Sequence, residues 1–170
     1  RHPRVDILQP GPGVGGHCIS VDPWFIVSET PEESRLIRLA REVNNIKPQW
    51  VVNKLNKTLE EFLVANPSKT AADVTIACFG LAFKPDIDDL RESPSFTIAR
   101  QLMQRHPGKV LIVEPNIDRL PDELVSANLV SLEVALEHSN IAVLLVGHKQ
   151  FNFVNIPTST IIVDICGVHS

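Results

Sequence analysis

Cys18 follows a run that no packed helix or strand favours. From Pro10 to Gly16 the chain holds four glycines and two prolines, and His17 and Cys18 come next. Glycine loses the most backbone entropy on folding and proline lacks a donor, so such a run is kept where backbone must approach something closely. A thiol behind that loop, beside an imidazole and four residues before the carboxylate of Asp22, has the surroundings of a nucleophile. Free cysteine is also among the residues most often buried as small core side chains, and both readings stand at this level. His17 adjoins the thiol, but neighbours on an extended backbone point to opposite sides.

The same glycines imitate another site. Gly11, Gly13 and Gly16 fit G-x-G-x-x-G, and Val5 to Leu8 could form the strand before it. A dinucleotide fingerprint needs a helix opening at the third glycine and an acidic residue about 20 positions later. Residues 17–23 contain β-branched side chains and end in Pro23, so no helix is expected there and the fingerprint is rejected.

A second chemical stretch runs from Gly80 to Pro94. It follows an apolar strand, where a ligand loop belongs in an α/β fold. It has a single glycine, so it cannot wrap a phosphate in backbone amides, and Lys84 and Arg91 would have to supply positive charge. Asp86, Asp88, Asp89 and Glu92 make the loop net acidic; the alternative is a solvated loop whose charges pair with one another. His148, after the fourth strand, reads more simply as a surface histidine than as a crevice residue, and Cys78 as core. The six histidines lack metal-ligand spacing and the three cysteines form no C-x-x-C pair, so no metal is expected.

These residues need a frame. Pro31 to Ala65 reads as helix, with Thr30 as N-cap, Pro31 in the first turn, and a break or kink near Ile46-Lys47 imposed by Pro48. From Asp73 onward strands alternate with helices: Val74–Phe79, a helix from Pro94 to Arg105 capped by Ser93, Lys109–Val113, a short strand near Leu129, a helix over 132–137, Ile141–Val146 and Thr160–Asp164. Apolar strands separated by helices predict a doubly wound parallel sheet, an α/β Rossmann-like fold, with strand order 3-2-1-4-5. Three parts are expected: a cysteine loop over 1–30, central helices over 31–66 and the α/β unit over 73–170.

Composition narrows the classes. A net charge of −4 gives no electrostatic basis for binding nucleic acid. No apolar run reaches the roughly 18 residues of a membrane span. An odd number of cysteines without close pairing fits a reducing, cytoplasmic setting.

The segments GPGVGGHCISVDPWF, AREVN (Ala40 to Asn44) and FGLAFKPDIDDLRESP (Phe79 to Pro94) resemble the UDP-sugar 6-dehydrogenases of the UDP-glucose dehydrogenase superfamily, and most of all the branch acting on UDP-N-acetyl-D-mannosamine. The resemblance covers nearly the whole chain. It implies NAD-dependent oxidation of the sugar C6 hydroxyl to a carboxylate, with Cys18 as catalytic thiol and Asp22 as its support. It puts Lys84 and Gly15 on the UDP-sugar, Arg4 on substrate across a dimer, and Arg91 towards NAD. It implies a homodimer through 31–66, and it makes this chain a carboxy-terminal portion whose NAD-binding domain would precede Arg1, so that the chain alone is expected not to turn over. UDP-N-acetylglucosamine or its galactose epimer is the alternative substrate, and a non-catalytic nucleotide-sugar or dimerisation module the alternative class. One departure stands out: Asp164-Ile165-Cys166-Gly167 has cysteine where that family usually has a basic residue.

Overall fold

The computed structural model describes residues 9–151 and 157–168. Five short strands form one parallel sheet: β1 (Ile76–Phe79), β2 (Val110–Val113), β3 (Asn128–Leu129), β4 (Ile141–Leu144) and β5 (Ile161–Asp164), in the order β3-β2-β1-β4-β5. The expected order is therefore observed. β1 lies at the centre, with Ile76 opposite Val110 on one side and Ile141 on the other. The helices are α1 (His17–Glu29), α2 (Arg35–Ala65), α3 (Pro94–Arg105) and α4 (Leu132–His138).

Strand side chains alternate between two apolar layers, as a sheet covered on both faces requires. Ile76, Cys78, Ile112, Val143 and Val163 face a cluster that includes Val51, Val52, Leu55 and Phe62 of α2 and Ile98, Ala99 and Leu102 of α3. Ala77, Phe79, Leu111, Val113, Ala142 and Leu144 face Ala135 of α4 and Phe151. The central helix is thus fastened to the sheet by its second half.

Three helix expectations need correction. A helix does open directly behind Gly16, and α1 runs on through Pro23. The proline removes the backbone bond to the carbonyl of Ile19, but Ile19 is exposed and the loss is tolerated. α2 begins at Arg35, not Pro31, because Thr30 and Ser34 do not cap it: their hydroxyls donate to the carbonyls of Ile26 and Thr30, one turn back. Nor does Pro48 break α2, which is continuous from Arg35 to Ala65. Val51, Val52 and Leu55 follow it fully buried, each stabilising by about 1.5–3 kcal/mol, and together they outweigh the roughly 3 kcal/mol cost of an interior proline.

The first half of α2 is different. Leu36, Leu39, Val43, Ile46 and Trp50 recur at alternating steps of three and four and are all exposed, a seam of the kind one helix offers another. Among the described residues no helix is long and apolar enough to cross a membrane.

Candidate functional site

The glycine-rich loop is shaped by what its glycines touch. A Cβ on Gly15 would collide with the carbonyl of Glu92 and the ring of Pro94. One on Gly16, at φ +89°, would lie 2.9 Å from the Phe83 ring, and one on Gly13, at φ +139°, 3.1 Å from Pro94. The closeness this composition demands is therefore closeness to protein, namely the Phe83 to Pro94 stretch. That packing, not the lack of a helix, is why the glycines are no pyrophosphate cradle.

α2 holds the loop from the other side. The Asn44 carboxamide accepts from the Val14 N–H at 2.7 Å and donates to the Val14 carbonyl at 3.1 Å. Arg41, buried, donates to the same carbonyl at 3.4 Å and to Asn45 Oδ1 at 3.2 Å. Gly15 is consequently buried, and the chain leaves it to start α1 with Cys18 in the first turn. Cys18 and Asp22 are both exposed and one helical turn apart, on one face. The three thiols differ sharply. Burial pushes Cys78 up to about 12, and burial together with the nearby Asp164 does the same for Cys166. Only Cys18 is exposed.

The loop after β1 meets the start of α1. Phe83 packs on Gly16, and next to it Lys84 is exposed, its Nζ 5.6 Å from the Phe83 ring centre. Among the described residues Lys84 has no ion-pair partner. Arg91 does: its Nε and one terminal nitrogen grip Asp89, the shortest contact being 2.7 Å. That grip lowers Asp89 to about 2 and raises Arg91, with Cys18 adding to the second effect and His17 to the first. Asp86 pairs with Lys149 at 3.2 Å. So one ion pair, Arg91 with Asp89, closes within the loop, while Asp86 pairs outside it with Lys149. Arg4 lies outside the described residues.

Sequence reasoning missed the most buried polar group of the region. His148 is not a surface residue; it is 0% exposed. Its Nε2 lies 3.1 Å from Glu114 Oε2, at the carboxyl end of β2. The same oxygen accepts from the Leu81 and Ala82 amides at 2.8 and 3.0 Å, and Oε1 from the amide and side chain of Asn116. Burial alone would raise the Glu114 pKa; the bonds from His148, Leu81 and Ala82 more than offset it and hold the group below its usual value. The signal that could have found it is a carboxylate placed directly after an all-apolar strand.

Cys166 does not stand in for a cation either. Its Sγ packs towards the Leu144 carbonyl at 3.5 Å, and Asp164 caps the Cys166 and Gly167 amides. Among the described residues no three metal-ligating side chains cluster.

Comparison with known proteins agrees with this geometry. Residues 77–170, more than half of the chain, match the UDP-glucose/GDP-mannose dehydrogenase family, UDP binding domain. The chain belongs to the UDP-glucose/GDP-mannose dehydrogenase family. Residues 1–46 match the central domain of that family. The chain is 55% identical over 156 residues to the UDP-N-acetyl-D-mannosamine dehydrogenase of Escherichia coli K12, covering 91% of this chain and 37% of that protein. It is 49% identical to the NDP-N-acetyl-D-galactosaminuronic acid dehydrogenase of Ralstonia nicotianae, over 100% of this chain and 38% of the relative. The solved UDP-D-ManNAc dehydrogenase of Pyrococcus horikoshii superposes with a TM-score of 0.79 at 31% identity, over 99% of this chain and 38% of that one. The chain therefore spans less than two fifths of the length of these relatives. As a member of the dehydrogenase family it carries the cysteine segment and the loop after β1 on one connected scaffold.

Proposed function

We propose that this chain is the thiol-bearing and nucleotide-sugar-binding part of a UDP-N-acetyl-D-mannosamine 6-dehydrogenase. The observation that carries the reading is Cys18: the one exposed thiol, in the first turn of a helix, behind a loop clamped by Asn44. Residues 73–170 are assigned to the nucleotide, residues 1–30 to the thiol segment, and 31–66 to a homodimer contact through the exposed seam of α2.

The chemistry explains why a thiol is needed. Oxidising the C6 alcohol gives an aldehyde, which has no further hydride to release until a nucleophile adds. Attack by the Cys18 thiolate forms a C–S bond, and the aldehyde oxygen takes up a proton to give a thiohemiacetal. After its oxidation to a thioester, water adds to the carbonyl, the C–S bond breaks, and the carboxylate product leaves with the thiol restored. Asp22, one turn along the same face, accepts the proton from that water. Lys84 carries the positive charge that meets the diphosphate, while Gly15, packed against Glu92 and Pro94, acts on the sugar site only through the shape of the loop.

NAD is the hydride acceptor this chemistry calls for. Among the described residues Glu114 occupies the Leu81 and Ala82 amides after β1, and Asp89 pairs with Arg91. Arg91 can at most reach a cofactor held by other residues.

The test is a polypeptide carrying this chain at the full length of the relatives, given UDP-N-acetyl-D-mannosamine and NAD. NADH formation is expected, with release of an aminuronate; Cys18→Ser, which leaves the first hydride transfer open, should release no aminuronate and lose the second NADH. Undiminished turnover in that variant would overturn the reading. The identity to the Ralstonia relative favours one second reading, a galactosamine epimer as substrate, and faster turnover of that epimer in the same assay would replace the first.

A further inference from the structure

We infer that Glu114 and His148 are positioning residues, a latch that sets the shape of the Lys84 loop by gripping its backbone. The inference rests on the reading of Lys84 as a nucleotide-sugar contact and adds how that contact is held.

The loop between β1 and α3 is closed at its base by its own bonds, from Ser93 Oγ to the Leu81 carbonyl at 2.6 Å and from the Phe83 N–H to the Asp89 carbonyl at 3.2 Å. Neither of these reaches Lys84 or Asp86. Asp86 and Glu92, one on each side of the stretch that holds Asp88 to Arg91, sit at φ +61° and +51°, a left-handed region that non-glycine residues seldom adopt. For Asp86 the hold comes from outside the loop. Asp86 is held twice: its N–H donates to His148 Nδ1 at 2.9 Å, and its carboxylate accepts from the Lys149 N–H at 3.0 Å. Closer to β1, Leu81 and Ala82 donate their amides to Glu114. Lys84 lies between these two anchors, two residues beyond Ala82 and two before Asp86.

The hydrogen-bond pattern settles the imidazole. Nδ1 faces two donors, the Asp86 amide and Asn116 Nδ2 at 3.1 Å, so it must offer a lone pair. The ring proton therefore sits on Nε2 and is donated to Glu114. Glu114 fixes the tautomer, the tautomer presents an acceptor to Asp86, and Asp86 closes the loop around Lys84. Phe151 locks the ring edge-on, with centroids 5.3 Å apart. A buried polar pair kept merely as filler would not need its second ring nitrogen aimed at a loop amide.

The 170-residue chain and UDP as probe suffice for a test. In the unmodified chain, a through-hydrogen-bond coupling between the Asp86 amide nitrogen and His148 Nδ1 is expected by NMR; its absence overturns the latch without any substitution. Two variants then divide the ring. His148→Asn keeps an acceptor where Nδ1 stands, whereas His148→Gln keeps a donor towards Glu114 and loses that acceptor. In His148→Gln the Asp86 amide should exchange about tenfold faster and UDP should bind about tenfold more weakly, while His148→Asn stays within about threefold of wild type. Exchange at Ile76 to Phe79 reports whether the sheet is intact. Loss of stability in both variants with unchanged UDP affinity means a structural role alone and overturns the proposal. Lys84→Met separates the two readings. If it leaves UDP affinity unchanged while His148→Gln weakens binding, the Lys84 contact falls and the latch acts on some other group. If it weakens binding while both His148 variants bind normally, the contact stands and the latch falls.

Discussion

The side chain of Asn44 meets both backbone groups of Val14, accepting from its N–H at 2.7 Å and donating to its carbonyl at 3.1 Å. A carboxamide reproduces a peptide group, so one residue of the central helix pairs with the glycine-rich loop as a neighbouring strand would. His17 begins α1 three residues beyond that pairing, with Cys18 next to it.

Asn44→Ala removes both bonds and leaves the Val14 amide and carbonyl half-buried. A loss of about 1–3 kcal/mol is expected in urea denaturation, where Asn45→Ala should change stability by less than about 1 kcal/mol. Equal losses in the two variants would show that the clamp contributes nothing of its own.

Gly15→Ala places a methyl group against the Glu92 carbonyl and the Pro94 ring, both backbone-bound and unable to swing aside. Overpacking of this kind costs about 1–3 kcal/mol. Gly11→Ala has open space around it and should be close to neutral, and thermal melts of the two variants check the contrast.

Thiol reagents should distinguish the three cysteines. Cys78 and Cys166, both pushed up to about 12 by burial, carry almost no thiolate at neutral pH. Iodoacetamide followed by peptide mass mapping is expected to label Cys18 first by a wide margin. Comparable labelling of Cys78 under native conditions would contradict the packing described above.

Acid should expose the Glu114 network. Its carboxyl is held below the usual value in the folded chain, so the stabilisation is complete above the unfolded value of about 4.3 and is lost as pH falls through the folded value. Glu114→Gln lacks that contribution at every pH. Its deficit in melting temperature should be large at pH 7 and shrink below about pH 4. A deficit that stays constant with pH would mean that charge plays no part.

The exposed seam on α2 should drive self-association. Sedimentation equilibrium is expected to show a concentration-dependent dimer, and Val43→Glu with Ile46→Glu to leave a monomer with an unchanged melt. A monomer at high concentration in the unaltered chain would remove the dimer assignment.

How much of this was legible in the chain follows from the range of the forces involved. Strand order and the α3 cap came from apolar runs and from Ser93-Pro94, signals that lie within a few residues of each other. Cys18 stood out because glycine-rich backbone beside a thiol is rare in any packed element. The helical state of residues 17–29 was misread because a local rule about proline was applied where the exposed Ile19 tolerates it, and the unbroken passage of α2 through Pro48 depends on three side chains buried against a sheet formed much later in the chain. His148 was the largest miss: its partners Glu114, Asn116 and Asp86 lie 34, 32 and 62 residues away, and no local pattern connects them. Residue types and their neighbours marked the candidates, Cys18 behind its glycines and Lys84 and Arg91 after an apolar strand, since a candidate nucleophile or cation is visible wherever it ends up. Where those groups are held, and by which distant amides, became visible once the sheet had brought the ends of β1, β2 and β4 together, because a hydrogen bond is decided by a few tenths of an ångström and not by separation along the chain.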